Sequence, residues 1–196
     1  GLLMTDPKRS APHLRKALAT ATAPEARLRI AQTLAMIGDP TGIEEVIQAV
    51  RKAKTWDKGW NYRAMGQFGN NMSPLDTLVY ALGRSGDAST VSTILEKVAL
   101  LDATVDFSHH RAVSLALERL RPPAAAPALA ALLAKENMSG HALSNVGKAM
   151  DAHTKLDGSL TALAPRRNSL REIYLARALY RCGDHQGMGE RILQNY

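Results

Sequence analysis

Several features that would assign a function directly are missing from this chain. No hydrophobic run approaches the roughly 18 residues of a membrane-spanning helix, so we expect no membrane partner. A single cysteine, Cys182, excludes an internal disulfide. The motifs GxGxxG, GxxxxGK[ST], GxSxG, HExxH and CxxC do not occur. Nucleotide-binding, hydrolase and zinc-site signatures are therefore absent, and we expect no catalytic centre in this chain.

Charge alone does not define a partner. The net charge is +7 and the pI is near 9.8, which permits attraction to nucleic acid, anionic lipid or an acidic protein. The lysines and arginines are dispersed along the sequence, however, and a dispersed surplus is typical of a solvated surface. The sequence GLLMTDPKRS at the start is too short and too polar for a signal peptide, and its first residue, Gly1, suggests a fragment of a larger protein.

The strongest pattern is a repeated helical hairpin. In residues 73–102, Ser73 and Pro74 suit the start of a helix, and an apolar stripe with helical spacing follows. A leucine, then a glycine four positions later and an aspartate directly after it, recurs three times. The three occurrences are Leu34–Gly38–Asp39, Leu82–Gly86–Asp87 and Leu179–Gly183–Asp184.

These corners predict the fold class. The first two are about 48 residues apart, close to the period of HEAT-type repeats. A further unit over 108–136 keeps the stripes but turns at Pro122-Pro123. We expect an all-α chain, an α-α superhelix or HEAT-like solenoid of about four hairpins plus an N-terminal capping helix over 7–21. Residues 1–196 would form one domain, without a β-sheet.

Helix caps are expected at three further places. Thr41 with Glu44, and Ser169 with Glu172, have the spacing of capping boxes. Asp106 is expected to cap the helix that follows it.

Two stretches interrupt the repeats and are predicted insertions, 54–72 and 137–168, the second with one short helix near 143–152. The chain has only two Trp, five Tyr and two Phe, yet four of these rings lie close together in the first insertion. Such rings mixed with polar groups are typical of binding hot spots. The candidate contact residues are Trp56, Trp60, Tyr62, Arg63, Gln67 and Phe68. The alternative is that these rings fill the gap between two hairpins and belong to the core.

Other candidate side chains have simpler explanations. His109 and His110 with Asp106 suggest a metal site, but adjacent helical side chains point about 100° apart and do not readily share one ion. We therefore expect no metal ligand. Cys182 precedes a corner glycine at a helix end, which indicates a small buried residue rather than a reactive thiolate.

Three blocks of the sequence resemble a known family. They are WDKGWNYRAMGQFGNNMSPLDTLVYALGRSGD, FSHHRAVSLALERL and LREIYLARALYRCGDHQGMGERIL. These blocks are similar to the C-terminal HEAT-like region of bacterial FAD-dependent oxidoreductases, and the likeness covers most of 25–196. The resemblance implies a flavin-binding portion elsewhere in a parent protein, with FAD bound there and no cofactor in this chain.

Two functions follow as expectations. The first is a non-catalytic scaffold or interaction domain appended to a flavin oxidoreductase, whose partner is a protein. The alternative is a nucleic-acid-binding solenoid of the DNA glycosylase kind, suggested by the positive charge and by Trp56, Asp57 and Trp60, since aromatic rings stack bases. The compartment stays open, with export possible if the parent carries a signal peptide.

Overall fold

A computed structural model describes residues 6–61, 72–142 and 160–196, with the backbone alone at 160–163 and 165. Within these ranges the chain forms nine α-helices and no strand. The helices are α1 Pro7–Thr20, α2 Pro24–Met36, α3 Ile43–Lys52, α4 Pro74–Arg84, α5 Val91–Val98, α6 Phe107–Leu120, α7 Ala126–Leu133, α8 Leu160–Arg181 and α9 Met188–Gln194. The predicted all-α class and the capping helix α1 are confirmed.

The helices stack as hairpins in two layers. The first helices of the hairpins, α2, α4, α6 and α8, contact one another in that order. The second helices α3, α5 and α7 form the other layer, α9 packs against α8, and α1 covers α2. Each hairpin thus buries its apolar face against its neighbours, which is the stacking expected of a helical superhelix. None of the described helices is both long and apolar enough to cross a bilayer.

The predicted corners have the backbone that their residues require. Gly38, Gly86 and Gly183 all have positive φ, between 74° and 99°, where a Cβ would be strained. At the first corner the amide of Asp39 donates to the carbonyl of Leu34 at 2.9 Å, which closes the end of α2. The Pro122-Pro123 corner lacks a glycine, and Arg121 takes the left-handed conformation there with φ 53°.

One apolar core runs through the hairpins. It includes the predicted stripe of α4, where Leu75, Val79 and Leu82 are at most 5% exposed. Its fully buried leucines each stabilise the fold by about 1.5–3 kcal/mol relative to exposure. The fully buried leucines are Leu34, Leu82, Leu101, Leu117, Leu129, Leu132, Leu133, Leu175 and Leu179.

Both predicted capping boxes are wrong. The N-cap of α3 is Gly42, and the Thr41 hydroxyl instead donates to the Asp39 carboxylate at 2.6 Å. Ser169 lies inside α8, because that helix already begins at Leu160. The predicted second insertion therefore extends too far, since residues 160–168 are helical. The helix expected near 143–152 lies wholly outside the described residues.

Candidate functional site

The site is built around a short segment without helical structure, residues 53–61, which we call the strap. It leaves the end of α3 and crosses the N-termini of α4 and α6. The Lys97 ammonium of α5 binds the Ala53 carbonyl at its start. The Asp57 carboxylate then accepts a hydrogen bond from the Leu75 amide at 3.1 Å, in the first turn of α4. A carboxylate is favourable there because the first amides of a helix lack internal partners.

The second half of the strap is fastened to the start of α6. The Asp106 carboxylate accepts from the Gly59 amide at 3.0 Å and from the Asn61 side-chain amide at 2.5 Å. The Trp60 amide donates to the Ser108 hydroxyl at 3.0 Å, and the Ser108 amide donates to the Trp60 carbonyl at 2.9 Å. Asp106 is the N-cap residue of α6, as predicted, but its side chain binds the strap rather than its own helix. The sequence thus predicts the N-cap residue of the helix, but the side chain of that residue binds the strap.

A buried ion pair lies beneath the strap. His109 Nδ1 of α6 is 2.6 Å from Asp76 Oδ1 of α4, and the two side chains are 1% and 0% exposed. His109 Nε2 lies 3.1 Å from the Asp57 carbonyl oxygen of the strap. Both ring nitrogens therefore face acceptors, an arrangement that suits an imidazolium donating at both positions. The ring connects α6, α4 and the strap.

The electrostatics of the pair follow from this geometry. Burial by itself lowers the pKa of His109, but the hydrogen bond and charge of Asp76 and the Asp57 carbonyl outweigh burial, so the pKa is raised. Burial likewise raises the pKa of Asp76, and its contacts with His109, Ser108 and the Ser73 amide reverse this, so that the pKa is lowered. Both shifts favour the charged pair in the folded protein.

Asp76 also has a second structural role. The Ser73 hydroxyl accepts from the Asp76 amide at 3.0 Å, and Asp76 Oδ2 accepts from the Ser73 amide at 2.9 Å. This is the capping box that begins α4. One carboxylate therefore begins a helix through Oδ2 and holds His109 through Oδ1.

Trp56 covers the other side of the histidine. Its ring stacks on the His109 ring with centroids 4.5 Å apart and an interplanar angle of 22°. An aromatic face within about 6 Å of a cationic ring is a favourable cation–π contact. Trp56 is half-buried, and its indole nitrogen is buried without a hydrogen-bond partner among the described groups.

A cleft of about 390 Å³ opens beside this stack. We call it the Trp56 cleft. Leu100, after α5, is 43% exposed and forms part of its wall, next to the half-buried Val105. The lining residues are Lys54, Thr55, Trp56, Asp57, Leu100, Thr104, Val105, Asp106 and His109. Because the Asp57 carbonyl occupies His109 Nε2, the cleft offers an apolar surface with a polar rim rather than a free base.

His110 has a separate, structural environment. Its ring nitrogens lie 3.1 Å from the Asp106 carbonyl and 3.0 Å from the Asp102 carbonyl. Unlike His109, this ring has no carboxylate partner among the described residues, and burial, then the nearby Arg171 guanidinium, outweigh these carbonyls and lower its pKa to about 4. The ring is therefore neutral near pH 7 and donates from only one of its nitrogens. The neighbouring loop carbonyls are bound by cations as well, Leu101 by Lys135 at 2.6 Å and Ala103 by Arg171 at 3.0 Å. These basic groups complete the hydrogen bonding of a buried loop.

The predicted contact residues are only partly within the described structure. Trp56 and Trp60 are half-buried in the strap, and Tyr62, Arg63, Gln67 and Phe68 lie outside the described residues. Partner contact by this group stays a prediction.

The sequence did not indicate the ion pair. It singled out His109 only as a metal candidate, and nothing in it linked position 109 to Asp76, which is 33 residues away. Among the described residues no group of three or more His, Cys, Asp or Glu side chains is placed to hold a metal ion. Cys182 is buried, and burial raises the pKa of its thiol to about 11, as expected for an inert cysteine.

The fold and the strap define a class, an all-α protein of stacked helical hairpins. In the comparisons with known proteins, no family model, no curated protein and no solved structure matches this chain.

Proposed function

We propose that this chain is a non-catalytic helical-repeat scaffold that docks onto another protein through the Trp56 cleft. One observation carries the proposal: the carboxylates and the histidine of the site are engaged in holding the strap, while Trp56, Leu100 and Val105 line an open cleft. Exposed aliphatic groups next to an aromatic anchor, with a polar rim, are the composition of a protein interface.

The partner we propose is the flavin-binding portion of a bacterial FAD-dependent oxidoreductase. The support is the resemblance of three sequence blocks to the HEAT-like region of that family. The first of these blocks includes most of the strap and the start of α4. The proposed role is to position that portion, and this chain would contribute no residue to the flavin site.

A binding measurement tests both parts of the proposal. The immobilised chain is exposed to a purified flavin-binding portion from a member of that family, and bound FAD reports the complex by its absorbance. Leu100→Glu places a charge in the cleft wall and is expected to weaken binding at least tenfold, about 1.4 kcal/mol. Tyr180→Glu is the matched control, since Tyr180 is 53% exposed on α8 and does not line the cleft.

The outcomes separate the two parts. Equal binding by both variants would place the contact elsewhere on the chain and contradict the Trp56 cleft. Failure of the unmodified chain to bind would contradict the flavoprotein partner. The nucleic-acid alternative has less support, because Asp57, the carboxylate on which it depends, already binds the Leu75 amide.

A further inference from the structure

A second groove crosses three first-layer helices. It has a volume of about 340 Å³ and is formed by Gln32 and Met36 of α2, Thr77 and Tyr80 of α4, and Arg111 and Leu115 of α6. In each pair the residues are three or four positions apart, so both side chains lie on the same face of their helix. We call this the three-helix groove. All six side chains are half-buried, so the groove is a shallow surface and not an internal cavity.

Most of the groove is apolar or already hydrogen-bonded. Met36, Leu115 and Met72 supply aliphatic surface, and Tyr80 supplies a ring. The Gln32 side-chain amide donates to the Thr77 hydroxyl at 3.0 Å, and that hydroxyl donates to the Pro74 carbonyl at 2.7 Å.

Arg111 is the exception. It forms no hydrogen bond and no ion pair with any residue that the structure describes, although it lies between helices. Two other arginines form ion pairs with acidic residues. The half-buried Arg27 pairs with Glu45 at 2.6 Å, and the exposed Arg177 pairs with Glu118 at 3.1 Å. None of the described residues that line the three-helix groove is an Asp or a Glu. Its positive charge therefore has no counterpart in the described part of this chain.

A second arginine, Arg84, is bonded to a lining residue but does not itself line the groove. The Arg84 guanidinium donates through Nε and Nη2 to the Met36 carbonyl at 3.3 and 3.2 Å. A carbonyl accepts these bonds without neutralising the charge. Among its described lining residues the groove thus combines aliphatic walls with one arginine, Arg111, and no acid.

We propose that the three-helix groove binds a protein segment that presents an aliphatic side chain next to a Glu or Asp carboxylate. The planar guanidinium of Arg111 can bind a carboxylate through two parallel hydrogen bonds. Methionine side chains adapt to the shape of an aliphatic group. A nucleic acid fits less well, because its evenly spaced phosphates need a row of cations and gain little from apolar walls. This site is separate from the Trp56 cleft, so the inference does not depend on the proposed function.

The test uses the full chain, labelled with ¹⁵N, and two small probes. One is acetyl-Leu-Glu-Leu-amide and the other is the same tripeptide with Gln in place of Glu. We expect the Glu tripeptide to shift the Arg111 side-chain resonance and the amides of Thr77 and Tyr80 in a saturable way. The Gln tripeptide is expected to bind about tenfold more weakly, because it cannot form a charge-assisted pair.

Two arginine variants locate the effect. Arg111→Gln is expected to abolish the preference for the Glu tripeptide. Arg119→Gln, an exposed position two turns further along α6, is expected to keep it. Neither side chain has an internal partner among the described residues, so both variants should retain the native spectrum.

Several results would overturn the inference. These are no binding by the Glu tripeptide, equal affinity for the two tripeptides, or a preference that survives in Arg111→Gln. Binding that occurs only after residues 62–71 are replaced by a Gly-Ser linker would assign the groove to the chain's own segment instead.

Discussion

His109 Nδ1 lies 2.6 Å from Asp76 Oδ1, and neither side chain is more than 1% exposed. The two residues are close to the N-termini of adjacent first-layer helices, and the second nitrogen of the imidazole reaches the strap. A buried charge is tolerated only when it is paired and hydrogen-bonded, and here every contact is internal. The pair therefore holds the strap in place, and the strap presents the Trp56 cleft.

The first prediction concerns the coupling within this pair. Asp76→Asn and His109→Gln are each expected to lower the free energy of unfolding by about 3–5 kcal/mol, since each leaves one buried group without its charged partner. The double variant should cost clearly less than the sum of the two. Urea unfolding of the four proteins measures this. Additive losses would mean that the two side chains act independently.

The second prediction concerns stability above neutral pH. The pKa of His109 is raised above its ordinary 6.5, so its contribution to stability is fully present below about pH 6.5 and is lost as pH rises through the folded-state pKa. We expect the free energy of unfolding of the native chain to decline over this range. His109→Gln should remove that decline. An unchanged alkaline slope in the variant would contradict the raised pKa.

His110 gives a prediction of opposite sign. Its pKa is lowered to about 4, so its stabilising effect is present above about pH 6.5 and is lost as pH falls towards 4, where the unfolded chain takes up the proton first. The free energy of unfolding is expected to fall by roughly 3 kcal/mol over this range. His110→Gln should flatten the stability curve between pH 6.5 and 4 while leaving the alkaline side unaltered. A variant with the native acid slope would show that another group is responsible.

The fourth prediction tests the contact between α4 and α6. A Cβ at Gly83 would lie 2.3 Å from Ala116 Cα and 2.7 Å from the Ala116 carbonyl oxygen, both backbone atoms. In an isolated helix Gly→Ala stabilises by about 0.5–1 kcal/mol. Here the two backbones would have to separate, so we expect Gly83→Ala to destabilise by about 1–3 kcal/mol or more. Thermal unfolding of the native chain and the variant shows whether the substitution lowers or raises stability. A variant more stable than the native chain would contradict the close approach of the two helix backbones.

Local sequence patterns predicted the helical part of the molecule well. The stripe of α4 and the corners at Gly38, Gly86 and Gly183 depend on residues a few positions apart, and they are confirmed. The capping box at Thr41 is wrong because the Asp39 carboxylate, two residues earlier, takes the hydroxyl. The assignment to HEAT-type repeats stays a prediction, as does the flavoprotein connection.

Polar contacts between distant parts of the chain were less predictable, for a physical reason. Ser169 with Glu172 looked like a cap, but the Glu172 carboxylate accepts from the amides of Gly140 and His141 at 2.8 Å in a distant loop. Asp76 and His109 likewise meet only when two hairpins stack. Buried polar partners far apart in sequence leave no periodic signal, so only the structure brings them together.

His109 holds the strap against the helix starts, a claim that native-state hydrogen exchange can check. The amides of Gly59, Leu75 and Ser108 each donate to an acceptor across this contact, to Asp106, Asp57 and Trp60 respectively. We expect all three to be protected and to lose protection together in His109→Gln, while the Ser85 amide, bonded within α4 to Ala81, stays protected. Unchanged protection of the three amides in that variant would contradict the claim.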